Sequence, residues 1–246
     1  MPEGTCSALF ARMLQPTMVD YPGKMAALFF TRGCNFRCGY CHNPSLLTGG
    51  EKAFTWQELA VFSDQYRRQW VDAVSISGGE PTLQPQLKAT LEFFRKRGFL
   101  LKVDSNGSRP EVLQNILPLV DFMAMDIKCS LEKYPLLTGW KNPQAILASI
   151  NLIKSSARDY EFRTTLIEGF HDDAEIIACA KLVQGAKRLV FQPFLPHPNL
   201  PEESFREKPR TRLSFLQHAV TLAAPWVEQC SVRGENKPDK KNCRNN

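Results

Sequence analysis

Residues 25–44 read MAALFFTRGCNFRCGYCHNP: a short apolar run, Met25–Thr31, followed at once by three cysteines, Cys34, Cys38 and Cys41, within eight positions. The apolar run reads as a first strand, so the cysteines fall just beyond its end. Three thiols this close ask for a metal. The other five cysteines, Cys6, Cys129, Cys179, Cys230 and Cys243, are scattered and read as buried thiols that behave as small hydrophobes. A disulfide framework explains this pattern poorly in a chain of 246 residues expected to stay in the cytosol.

The cysteine spacing is three residues, then two. A closed zinc or iron–sulfur site wants four protein ligands, and this motif supplies three. His42, adjacent to Cys41, is sterically poor as a fourth, and a distant fourth cysteine stays open. Three thiolates on a 4Fe–4S cluster leave one iron free to take the amino and carboxylate groups of a small ligand. The competing reading is a zinc knuckle.

Outward from the motif, apolar runs alternate with helix-like segments. Thr55–Trp70 reads as a helix, with Thr55 and Glu58 at capping-box spacing. Val71–Ser77 is a second strand, Gln84–Arg97 a helix ended by Gly98, and Phe99–Asp104 a third strand. Pro110–Leu117 is a short helix. Phe122–Ile127, Tyr160–Ile167 and Lys187–Pro193 are the fourth to sixth strands. Helices over Pro143–Ser155, Asp172–Gln184 and Arg210–Ala224 separate or follow them, and Val227–Arg233 is a candidate extra strand. This alternation predicts a parallel sheet with right-handed crossovers, an incomplete (βα)6 TIM-like barrel. Chemistry in such barrels gathers at the carboxyl ends of the strands. Cys34, Gly78-Gly79-Glu80, Asp104, Asp126 with Lys128, and Gln192 all stand at such ends. The chain reads as a single domain over 1–246, with its core at about 19–234 and a polar tail at 235–246.

Composition narrows the classes. Hydrophobic residues make up 43% and charged residues 23%, enough for a proper core and too apolar for disorder to be the default. No run approaches the length of a membrane span, and residues 1–15 lack the pattern of a secretory signal; a cytoplasmic location and no membrane partner are expected. The net charge is +6. Without a reader motif it gives little support for nucleic acid, and it suits an acidic protein partner such as a small electron carrier.

The pattern C-x3-C-x2-C, with aromatic Tyr40 before the last cysteine, resembles the signature of the radical S-adenosylmethionine (SAM) superfamily. That resemblance implies a 4Fe–4S cluster on Cys34, Cys38 and Cys41. Its open iron chelates the methionine part of SAM, and one electron cleaves SAM to methionine and a hydrogen-abstracting 5′-deoxyadenosyl radical. Ser77-Gly78-Gly79-Glu80-Pro81 resembles the superfamily's GGE segment, which implies that Gly78, Gly79 and Glu80 meet the SAM ammonium. Asp104-Ser105-Asn106-Gly107 and Asp126-Ile127-Lys128 resemble stretches of the glycyl-radical-enzyme activating family. There the positions matching Asp104, Ser105, Asp126 and Lys128 contact SAM or a bound monovalent cation and help peptide binding. Arg163 is a candidate for the SAM carboxylate or ribose, with a structural salt bridge as the equal alternative. His197 is a weaker candidate near the adenine.

Asp20-Tyr21-Pro22-Gly23-Lys24 and Cys41-His42-Asn43-Pro44 sharpen the resemblance. From about Val19 to Arg233 the chain is similar to activating proteins of anaerobic ribonucleoside-triphosphate reductase in their longer form. This implies a glycyl radical enzyme as protein substrate, a flavodoxin or ferredoxin-type electron donor, and a lateral mouth wide enough for a glycine loop. Two alternatives stay open: a radical SAM enzyme acting on a small molecule, in the manner of deazapurine synthases, or one modifying a peptide. An iron–sulfur electron carrier or zinc-bound interaction module ranks below both, because neither needs the GGE segment or a long barrel.

Overall fold

Each apolar run between helical segments forms a strand, and neighbours in sequence are neighbours in space. The computed structural model describes residues 4–6, 8–13, 15–48 and 52–234; the proposed polar tail at 235–246 and Cys243 lie outside them. The strands are β1 (Ala11–Arg12), β2 (Ala26–Thr31), β3 (Ala73–Gly78), β4 (Leu100–Ser105), β5 (Phe122–Asp126), β6 (Tyr160–Leu166), β7 (Leu189–Pro193) and β8 (Cys230–Val232). They form one sheet in sequence order. The β1–β2 pairing is antiparallel, and every pairing from β2 to β8 is parallel. Among the described residues no ladder joins β8 back to β1 or β2, so the barrel is incomplete.

The expected architecture holds with two additions. Cys230–Val232 does extend the sheet, as the seventh parallel strand. The antiparallel β1 was not anticipated; a two-residue strand carries no periodicity to read.

The longer helices are α1 (Trp56–Arg68), α2 (Leu87–Arg95), α3 (Pro110–Ile116), α4 (Pro143–Ser156), α5 (Asp173–Leu182) and α6 (Leu213–Ala223). Thr55 and Glu58 close the expected capping box on α1. The other helices keep within three residues of the expected bounds at each end: α4 runs one residue farther, to Ser156, and the rest are shorter because turns and short 3-10 segments flank them.

Between helices and sheet lies an apolar layer. Phe29 of β2, fully buried, packs its ring 5.2 Å from Phe94 and edge-on to Tyr66 and Phe54. Truncating such a side chain costs about 3–5 kcal/mol. The barrel interior is graded. Tyr21, Ala26, Ala73, Phe122 and Ala124, with Leu100, fill one end with apolar atoms. Alternate residues farther along β4 and β5, Lys102, Asp104 and Asp126, are charged, and neighbouring β6 adds Arg163. Period-two alternation therefore places an ionic layer directly above an apolar plug. No helix of the described residues is long and apolar enough to cross a membrane.

Candidate functional site

At the carboxyl ends of the strands opens a cavity of about 320 Å³. Cys34, Cys38 and Cys41 line it together with Gly78, Gly79, Glu80, Asp104, Ser105, Asp126, Lys128 and Arg163. The three cysteines belong to one loop, and backbone contacts fix that loop. The Gly33 N–H donates to the Leu46 carbonyl at 2.8 Å and the Arg37 N–H to the Thr138 carbonyl at 2.7 Å. The Gly79 N–H donates to the Thr31 carbonyl at 3.1 Å, and the Glu80 N–H to the Gly33 carbonyl at 2.8 Å. These last two bonds explain the glycine pair. Gly78 sits at φ +120°, and a Cβ on Gly79 would stand 1.9 Å from the Gly33 oxygen; only glycine lets the two loops touch.

Glu80 ties the same segment to the loop after β4. Its carboxylate is completely buried and accepts from the Thr82 N–H (3.0 Å), the Thr82 hydroxyl (2.6 Å), the Ser105 hydroxyl (2.8 Å) and the Asn106 N–H (2.7 Å). Burial raises its pKa, and these donors pull the other way. Ser105 lines the cavity, and its hydroxyl donates to Glu80 and accepts from the Gly107 N–H at 3.0 Å, so it holds the loop. Asn106 continues the chain of contacts, its amide donating to Asn35 Oδ1 at 2.9 Å and to Cys34 Sγ at 3.7 Å.

Asp126 and Lys128, two residues apart, form an ion pair: Lys128 Nζ lies 2.9 Å from Asp126 Oδ2. Arg163 bridges two strands, with Nε 2.8 Å from Asp126 Oδ1 and Nη1 3.2 Å from Asp104 Oδ2. Lys102 pairs with Asp104 Oδ1. All four carboxylate oxygens thus meet a protein cation. Burial alone would raise both carboxyls; Arg163, with Lys102 at Asp104 and Lys128 at Asp126, overrides it and holds both below the usual range. Burial likewise opposes the Lys128 charge, but Asp126, Tyr40 and Cys38 raise its pKa. Asp104 and Asp126 as they stand do not fit a free monovalent cation.

The thiols fit a cluster. Burial pushes the Cys38 thiol up to about 12, with Lys128 pulling it back down, and burial also raises Cys34. A metal centre would displace those protons, and the nearby Lys128 ammonium favours the thiolates that remain. Among the described residues no three His, Cys, Asp or Glu side chains converge as around one metal ion. The buried hydroxyl of Tyr40, a residue of the cavity wall, has no hydrogen-bond partner among the described residues.

His197 is not brought into the cavity. It is exposed, and its Nδ1 accepts from the Asn199 N–H at 3.2 Å, a loop contact. His42 and Gln192 line the cavity instead. Four further residues escaped the sequence reading. Lys128 is held by both backbone groups: its N–H donates to the Tyr134 hydroxyl at 3.1 Å, and its carbonyl meets His171 Nε2 at 3.0 Å. Glu175, at the start of α5, accepts from the Ser130 N–H and hydroxyl. These three come from separate segments of the chain, and no local signal announces them. Lys102 was readable, because it stands two residues before Asp104 on the same strand face.

Comparison with known proteins agrees with this geometry. Residues 28–181 match the model of the radical SAM superfamily. A Methanocaldococcus jannaschii protein provisionally named a glycyl-radical enzyme activating enzyme is 31% identical over 93% of this chain and 97% of its own length. The pyruvate formate-lyase-activating enzyme of Streptococcus mutans is 28% identical over 77% of each chain. The solved structure of spore photoproduct lyase complexed with dinucleoside spore photoproduct superimposes with a TM-score of 0.59 over 91% of this chain and 80% of its own, at 13% identity, which supports the fold. With the cysteine loop, the parallel barrel and the family match in agreement, the chain belongs to the radical SAM superfamily, whose members work with a 4Fe–4S cluster and SAM.

Proposed function

We propose that this radical SAM enzyme installs a glycyl radical on a partner protein, and that the partner is an anaerobic ribonucleotide reductase. The observation that carries the activase reading is the match along nearly the full length of the M. jannaschii relative, without a cysteine-rich insertion. The choice of reductase rests on the resemblance carried by Asp20–Lys24 and Cys41–Pro44. A flavodoxin or ferredoxin-type protein supplies the electron, a partner suited to the chain's net charge of +6, and the enzyme works in the cytoplasm.

Cys34, Cys38 and Cys41 hold the cluster. When bound, cluster and SAM supply reductive cleavage to a 5′-deoxyadenosyl radical, the agent that removes hydrogen from the substrate. The protein positions and shields. The N–H groups of Gly79 and Glu80 are spent on the cysteine loop, so the Gly78–Glu80 segment meets the SAM ammonium through its carbonyls. Lys128 faces the SAM carboxylate, with Arg163 beside it; Asp126 and Asp104 orient both cations. Ser105 acts through Glu80. No side chain needs to serve as the base that takes the substrate hydrogen, and the walls keep solvent and oxygen away.

The test is anaerobic reconstitution, reduction and assay for 5′-deoxyadenosine, then mixing with candidate glycyl radical proteins and recording the glycyl doublet by electron spin resonance. Cleavage is expected, with loss in Cys38→Ala, and the doublet is expected with an anaerobic ribonucleotide reductase. Cleavage without a doublet on any glycyl radical protein sinks the activase reading.

A further inference from the structure

The ionic layer beneath the cavity has more positive than negative members. Lys102, Arg163 and Lys128 meet Asp104 and Asp126, and each of the four carboxylate oxygens already meets one of the cations; the buried Glu161 nearby is taken by Arg233, which pairs with both its oxygens, so four cations stand against three carboxylates. Lys102 is the unusual member. It is 1% exposed, and a lysine is almost never buried this fully unless paired. It rises from the apolar plug, where Leu100 precedes it on β4, and its ammonium ends at Asp104 on the cavity floor. A mobile ion placed between the two aspartates would join a cluster that already carries a net positive charge.

We propose that the Lys102 ammonium, with the Arg163 guanidinium, is a tethered replacement for a monovalent cation at this site, so that SAM binding here needs neither Na⁺ nor K⁺. Lys102 is then a positioning residue. It balances Asp104 from below, which leaves Arg163 shared between Asp104 and Asp126, and Asp126 in turn fixes Lys128 at the cavity. The positive excess is available to an anionic ligand group. This inference rests on the reading that the cavity binds SAM, and its test has one arm that does not.

The first arm titrates SAM into the reconstituted enzyme by calorimetry in NaCl, KCl or tetramethylammonium chloride at equal ionic strength. The wild-type affinity is expected to agree across the three salts within about twofold. Lys102→Met is expected to bind at least about tenfold more weakly in tetramethylammonium and to recover in NaCl or KCl, because a free ion can then enter. The second arm follows thermal unfolding of the full chain without cluster or SAM. Wild type should melt alike in the three salts, and Lys102→Met should be raised selectively by Na⁺ or K⁺. A wild-type protein that gains tenfold from Na⁺ or K⁺ overturns the proposal, as does a Lys102→Met variant equally weakened, or unaffected, in all three salts. If Lys102→Met does not fold, the wild-type comparison decides. Failure of wild type to bind SAM in any salt counts against the SAM reading, while the melting arm still judges the cation.

Discussion

Replacing Glu80 by Gln changes one buried oxygen into an amide and leaves the volume almost untouched. In the wild type one carboxylate oxygen accepts from the Thr82 N–H, the Thr82 hydroxyl and the Ser105 hydroxyl, and the other accepts from the Asn106 N–H. The new NH2 group must face one side. Turned toward Asn106 it meets a backbone N–H; flipped, it meets the Thr82 N–H. Either way one hydrogen bond is lost, worth about 1 kcal/mol net, and two buried donors are left facing each other at about 1–3 kcal/mol. We therefore expect a loss of about 3 kcal/mol, read as a lower urea midpoint at unchanged slope in the cluster-free chain. Pairing Glu80→Gln with Ser105→Ala should reveal a coupling of about 1 kcal/mol, since the two side chains share a bond. SAM affinity should fall as well, because the Gly78–Glu80 segment and the loop after β4 lose their common anchor. A Glu80→Gln variant within about 0.5 kcal/mol of wild type, uncoupled from Ser105, would refute this account of the two loops.

Stability should fall with acid through His171. Burial lowers its pKa below the ordinary 6.5, and its Nδ1 accepts from the Ile167 N–H at 3.0 Å, a contact that requires the neutral ring. Below the unfolded value the unfolded chain takes up a proton that the fold refuses. The His171 contribution is therefore fully present above about pH 6.5 and lost as pH falls from there toward the folded pKa, at up to about 1.4 kcal/mol per pH unit. Urea midpoints from pH 5 to 8 should show this slope, and His171→Gln should flatten it; an unchanged slope would exclude His171 as the cause. Asn106→Leu should make the reduction potential of the reconstituted cluster more negative by removing the amide hydrogen bond to Cys34 Sγ, since hydrogen bonds to cluster sulfurs stabilise the reduced form. A redox titration that finds the same potential rules that contact out.

The architecture was legible because each strand is a short apolar run and each helix is bounded by a recognisable cap or breaker. Thr55 with Glu58, and Gly98 at φ +80°, mark their boundaries as expected. The site was legible wherever its members are local. Three cysteines in eight positions, and Asp126 two residues before Lys128, declare themselves by spacing. Spacing is silent about partners across the barrel. It does not say that the Ser105 hydroxyl turns to Glu80, nor that His171 and Tyr134 clamp the Lys128 backbone, because those meetings depend on how the loops at the rim close over one another. His197 follows strand β7 closely in sequence and stands near His42, yet it is not among the residues that line the cavity.

The placement of Asp20–Lys24 limits what that stretch can say about function. Tyr21 is 6% exposed and packs its ring 5.6 Å from Phe122 in the apolar plug. Burial, followed by Asp121 and Asp159, raises its pKa to about 12, so it stays neutral and fills space. The plug lies on the opposite side of the ionic layer from the cysteines. A residue there stabilises the barrel and cannot touch a substrate held at the carboxyl ends of the strands. Tyr21 therefore reports a shared core, while Pro22 and Gly23 of the same stretch are exposed. Discrimination between a glycine loop, a free peptide and a small molecule must come from the rim, where Leu47, His42 and Gln192 line the cavity and, among the described residues, no ladder joins β8 to β1. Substitutions at the rim should change which substrate is accepted, and substitutions in the plug should change only how well the barrel holds together.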